Sequence, residues 1–161
     1  MKSKQGILFL VVAALIAVAT AVAHMSCIFL GPECFSAQMA PPQVIESARN
    51  GTWLAPVGTI FISAIFLVVG LYALSGAGII RTLPLLKLGI YTISTLCIIR
   101  GVLPLQLWIR HPEKVNSIVF YTGVIWLVTG LLFLFGYLLV QKSAYNKQIM
   151  AGTHKKRAPH I

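Results

Sequence analysis

Two cysteines and one arginine are the residues of this chain whose type and position could do chemistry. Cys27 and Cys34 stand seven apart in HMSCIFLGPECF (residues 24–35), on either side of a Gly31-Pro32 turn signal. Such a pair can be a disulfide staple, a redox dithiol, or part of a soft-metal site with His24, Met25, Met39 or His111. On one continuous helix a separation of seven is ~10 Å of rise, too far for a disulfide. Gly31-Pro32 breaks that helix and can fold the chain back, which makes the bridge feasible. A membrane thiol oxidase would pair C-x-x-C with further exported cysteines, whereas the remaining cysteine, Cys97, lies in an apolar segment. The candidate metal ligands match no ligand spacing. A structural staple is therefore the expected state of Cys27 and Cys34, with thiol redox chemistry as an alternative and no metal.

Arg100, in LCIIRGVLPLQLW (residues 96–108), is a cation inside an apolar run. It falls ~18 Å along its helix at 1.5 Å per residue. A cation at such a depth costs at least ~2 kcal/mol unless it finds a partner or water. Candidate partners are Glu33, Glu46 or Glu113 from an exported loop, Gln106, carbonyls freed near Pro104, or a lipid phosphate. Three readings follow: a helix that ends near Arg100-Gly101 and leaves the arginine at the interface, a structural pair with a glutamate, or an anion-binding site flanked by Tyr121 and Trp126.

Other chemistry finds no residues to carry it. The chain has no Asp, and its three acids, Glu33, Glu46 and Glu113, all fall outside the apolar segments. That removes carboxylate dyads and the usual intramembrane proton relays. H-E-x-x-H, G-x-S-x-G, phosphate-loop and dinucleotide fingerprints are missing. His24 and His111 lie at loops and His154 and His160 in the tail, so no histidine pair faces across spans to hold a haem. The reading is non-catalytic, with no cofactor.

The elements that position these residues are apolar helices. Of 161 residues, 58% are hydrophobic and 10% charged, far from the soluble average. Four segments offer the ~20 apolar residues that cross ~30 Å of hydrocarbon: residues 5–23, 59–80, 88–109 and 117–140. The expected fold is an all-α integral membrane four-helix bundle, a single polytopic domain with a loop over residues 24–58 and a basic tail over 141–161. Lys2, Lys4, the first apolar run and Ala21-Val22-Ala23 also spell a signal peptide, whose cleavage would leave three spans. Retention is favoured by the length of Ile7–Ala23 and by Ala13, Ala17 and Ala21, which recur as a packing face would.

Basic residues set the orientation. Lys2, Lys4, Arg81, Lys87, Lys142, Lys147, Lys155, Lys156 and Arg157 fall on one side, against Arg49, Arg110 and Lys114 on the other. Because Lys and Arg in short loops favour the cytoplasm, both termini are expected inside and residues 24–58 outside, where oxidising conditions permit a disulfide. The +10 net charge is then a topology signature, with no nucleic acid implied, and the basic tail can touch anionic headgroups.

Small residues recur at sevens: Ser63, Gly70 and Ala77 in the second span, and Thr122, Thr129 and Gly136 beside Gly123 and Gly130 in the fourth. That spacing forms a packing seam for a sister helix or another subunit. The expected role is an accessory, scaffold or regulatory subunit of a cell membrane, most naturally a bacterial inner membrane. Its partners would be lipids and other membrane proteins or further copies of itself. The competing reading is a small transporter or channel subunit that binds an anionic solute or headgroup at Arg100.

Overall fold

The computed structural model describes residues 3–110 and 117–156, with side chains as far as Met150. Among the described residues the chain is all-helical: α1 (Lys4–Leu30), α2 (Pro32–Ala37), α3 (Pro42–Arg49), α4 (Leu54–Ala77), α5 (Leu86–Arg110) and α6 (Ser117–Lys156). Four of these, α1, α4, α5 and α6, are long and apolar enough to cross a membrane.

Their ends differ from those read off hydropathy. α1 continues past Ala23 through His24 and Cys27 to Leu30, because nothing before Gly31 breaks a helix. Gly31 then takes φ 81 and ψ −166, a combination that residues with a Cβ rarely adopt. Pro42 opens α3, where its missing N–H costs nothing and its fixed φ suits a first helical turn. α5 does not end near Arg100-Gly101; it runs through Pro104 to Arg110. α6 passes Val140 and goes on to Lys156, since Gln141–Met150 contains good helix formers and neither Gly nor Pro.

The chain divides into two compact units, Ala14–Leu71 and Met1–Ala13 with Tyr72–Ile161. In the first, Ala14, Ala17 and Ala21 of α1 are buried, and their small side chains admit α4 at close range. A Cβ on Gly70 would stand 3.6 Å from the Ala14 carbonyl and 3.8 Å from Ala17 Cβ. Ser63 Oγ donates to the Ala21 carbonyl at 3.2 Å.

In the second unit, α5 buries Ile90, Ser94, Cys97, Gly101 and Pro104. These positions, three and four apart, form one stripe. The stripe meets α6 at Gly123, Leu127 and Gly130, and Ser94 Oγ donates to the Gly130 carbonyl at 2.8 Å. The corner between α4 and α5 is closed by hydrogen bonds. Ile79 N–H donates to the Leu74 carbonyl and Gly78 N–H to that of Ser75, the closure that Gly78 permits at φ 70. Ser75 Oγ donates to the Arg81 carbonyl at 3.1 Å and accepts Leu83 N–H at 2.9 Å.

Candidate functional site

The best-built polar site lies between the end of α1 and the start of α4. Cys27 in the last turn of α1 and Cys34 in α2 form a disulfide, with Cα atoms 5.1 Å apart. Gly31 makes the geometry possible by turning the chain between them. Around the bridge, Cys27, Phe35 and Ala55 are buried, and Ala40, Val44, Ile45 and Ala48 pack against them. The thiol pair is thus part of an apolar core, with Cys27 wholly inaccessible.

Polar groups complete this core's edges. Gln38 Nε2 donates to the Ala23 carbonyl at 2.7 Å, tying the end of α2 back to α1. Met39 adopts φ 56, so that its N–H reaches the Ser36 carbonyl while Ala40 N–H reaches that of Phe35. α3 ends at Asn50-Gly51, with Thr52 N–H donating to the Ser47 carbonyl at 2.9 Å. Ser47 is the hinge of the arrangement. Its Oγ accepts Ala55 N–H at 2.9 Å and shares a 2.6 Å hydrogen bond with Thr52 Oγ1. The first turn of α4 is therefore capped by a serine of the preceding helix, meeting a donor that an α-helix leaves unpaired.

Beside this core the same unit displays large apolar side chains: Phe29 is 87% exposed, Trp53 72% and Leu30 68%. His24 is half-buried, with Nδ1 2.9 Å from the Thr20 carbonyl and its ring 5.3 Å from that of Phe66. Among the described residues no three His, Cys, Asp or Glu side chains come together as a metal site. Met39 is exposed, and His111 lies outside the described residues.

Arg100 is exposed on α5, next in sequence to the buried Gly101 but turned off the stripe that meets α6. Leu96, Ile99 and Leu103 around it are exposed too. Pro104 stands four residues on and has no N–H, so the Arg100 carbonyl loses its usual helical donor. The described residues of this unit contain no carboxylate. Glu33 and Glu46 belong to the other unit, both exposed, on α2 and α3. Glu113 lies outside the described residues. Gln106 and Tyr121 are exposed and Trp126 half-buried.

The small residues at sevens separate by neighbour. Gly123 approaches Pro104 and the Gly101 carbonyl, and Gly130 approaches Ile98 and the Ser94 carbonyl, so this register faces α5. Gly136 faces α1 instead, against the Gly6 carbonyl, Phe9 and Leu10. Thr129 is buried but donates to the Ile125 carbonyl of its own helix at 2.7 Å, and Thr122 is half-buried. Ala77 is buried near the end of α4. Sequence reasoning missed Ser47, Gln38, Ser94 and Gly101. The last carried a readable signal: it lies seven after Ser94 and three before Pro104.

The chain matches no protein-family model, no curated protein and no solved structure.

Proposed function

We propose that the protein is a four-span bundle of a cell membrane, that of a bacterial cytoplasm, with both termini inside and the stapled loop exported. It acts there without catalysis, as an accessory, scaffold or regulatory subunit. The observation that carries this reading is the order built into residues 24–58. A disulfide, a buried Phe35 and the Ser47 cap hold a short connection in one shape, while Phe29, Leu30 and Trp53 stand exposed on the same unit. Pre-organised apolar surface is what a binding face requires, because little ordering remains to oppose association. Gly123, Gly130 and Gly136 are engaged by helices of the same chain, so a partner would meet the loop and the outward helix faces instead. The basic-residue asymmetry supports the orientation. Cys27 is wholly buried and Cys34 half-buried against the Phe35 and Ala55 core, a placement that supports a structural bridge over an exchanging dithiol.

The test is site-specific photocrosslinking in cells from position 29 or 53, with position 138 on α6 as a control. A discrete protein adduct from the loop positions, lost when Cys27→Ser and Cys34→Ser are combined, is the expected result. Lipid adducts alone at all three positions would remove the reading. The competing role, an anion path at Arg100, is favoured by the absence of carboxylates among the described residues of its unit. It would gain if Arg100→Ala abolished uptake of an anionic solute while the loop adduct persisted.

A further inference from the structure

Where α1 starts, Gly6 lies against the Gly136 carbonyl, Leu139 and Val140 of α6. The close approach sets Ser3, the residue before α1, beside the stretch of α6 that follows Val140. Between them is an open cavity of about 390 Å³, lined among others by Ser3, Leu139, Lys142, Asn146, Lys147 and Met150.

Its chemistry is one-sided. Lys142 and Lys147 bring two ammonium groups, Asn146 an amide and Ser3 a hydroxyl, which already accepts Gly6 N–H at 3.3 Å. α1 has no acid in its first turn, so the positive end of its dipole is uncompensated and adds to the same sign. Among the described residues of this unit there is no carboxylate to neutralise the lysines. The rim is apolar at Leu139 and Met150, and the neighbouring Phe135 and Leu138 of α6 are exposed. A free anion would have no use for such flanks, whereas a phospholipid has both a phosphate and chains to lay along them.

We propose that this cavity binds the phosphate of an anionic phospholipid, through Lys142, Lys147, Asn146 and Ser3, with the acyl chains along the outer face of α6. The site rests on the reading that α6 leaves the membrane near Val140 on the cytoplasmic side, where anionic lipid attracts basic side chains.

The test uses the full chain reconstituted in vesicles of equal phosphatidylglycerol and phosphatidylcholine, then extracted in mild detergent for native mass spectrometry. Phosphatidylglycerol is expected to be the retained lipid. Combined Lys142→Gln and Lys147→Gln should lower its retention about tenfold or more, since both basic contacts to the headgroup are lost. Lys142→Arg with Lys147→Arg should restore it, and Lys87→Gln, outside the cavity, should leave it unchanged. Millimolar inorganic phosphate should not displace the lipid. Equal retention by the native chain and the double Gln variant would overturn the site, as would an equal loss on Lys87→Gln. Displacement by phosphate would assign the cavity to a free anion and overturn the lipid. Failure of the topology reads out separately: a Gln148→Cys label reached from outside the cell would refute the sidedness while leaving the lysine dependence to be judged by retention.

Discussion

Between Cys27 and Ala55 the chain is held by bonds that side chains make, while between Ile90 and Phe133 the helices α5 and α6 are held by side chains that are missing. In the loop unit a disulfide, a glutamine and a serine each close a gap that the backbone leaves open. In the helix pair, Gly101, Gly123 and Gly130 let two backbones come together, and Ser94 contributes one interhelical hydrogen bond. The difference follows from the two jobs. Short helices separated by turns have unpaired N–H and C=O groups at every end, which must be met one by one. Long helices satisfy their own backbones, so what brings two of them together is the close packing that small residues allow, with few polar contacts between them.

The sharpest way to break the comparison is to put volume into the helix seam. A Cβ at Gly101 would lie 2.5 Å from Leu127 N and 2.7 Å from its Cα, backbone atoms that have no rotamer to escape through. Gly101→Leu should abolish the α5–α6 association. Gly101→Ala should cost about 1–3 kcal/mol as an overpacked core does, read as a lower midpoint of thermal unfolding in mild detergent. Gly70 supplies the contrast. Its hypothetical Cβ meets neighbours no closer than 3.6 Å, so Gly70→Ala should leave the midpoint unchanged or raise it.

Below Gly101→Leu, and comparable to Gly101→Ala, comes the staple. Opening a loop as short as that between Cys27 and Cys34 should cost about 2–3 kcal/mol in the chain-entropy account. Cys27→Ser with Cys34→Ser should therefore loosen residues 24–58, raising amide hydrogen exchange there while leaving α5 and α6 protected. Equal deprotection of both regions would mean that they are not held by separate means. The smallest effect belongs to the cap. Ser47→Ala leaves Ala55 N–H without its acceptor and should cost about 0.5–2 kcal/mol, with faster exchange confined to the first turn of α4.

How much of this was legible beforehand depends on what each feature is made of. Four apolar stretches announce four long helices, because crossing or burying such lengths needs continuous hydrophobicity. Their ends are less legible, since a helix stops where a residue breaks it and not where the apolar run fades. α1 therefore runs on through His24 and Ser26 to meet Gly31, and α6 continues along Gln141–Met150. The cysteine bridge was readable from Gly31-Pro32, as the turn and the two sulfurs lie within one short window. Ser47 was not, for its role depends on Thr52 and Ala55 being returned to it by the Asn50-Gly51 turn. The sevens of α6 pointed to packing but not to partners. Which glycine faces α5 and which faces α1 follows from tertiary placement, and so does the lysine-lined cavity beside Ser3.

The central claim is that the stapled loop and the lysine-rich end of α6 lie on opposite sides of a membrane. It is tested by Asn50→Cys and Gln148→Cys, each made singly and treated in intact cells with an impermeant maleimide, the native pair remaining oxidised and Cys97 buried. The account predicts labelling at position 50 directly and at position 148 only after the membrane is opened. Labelling of both positions from the same side would contradict it.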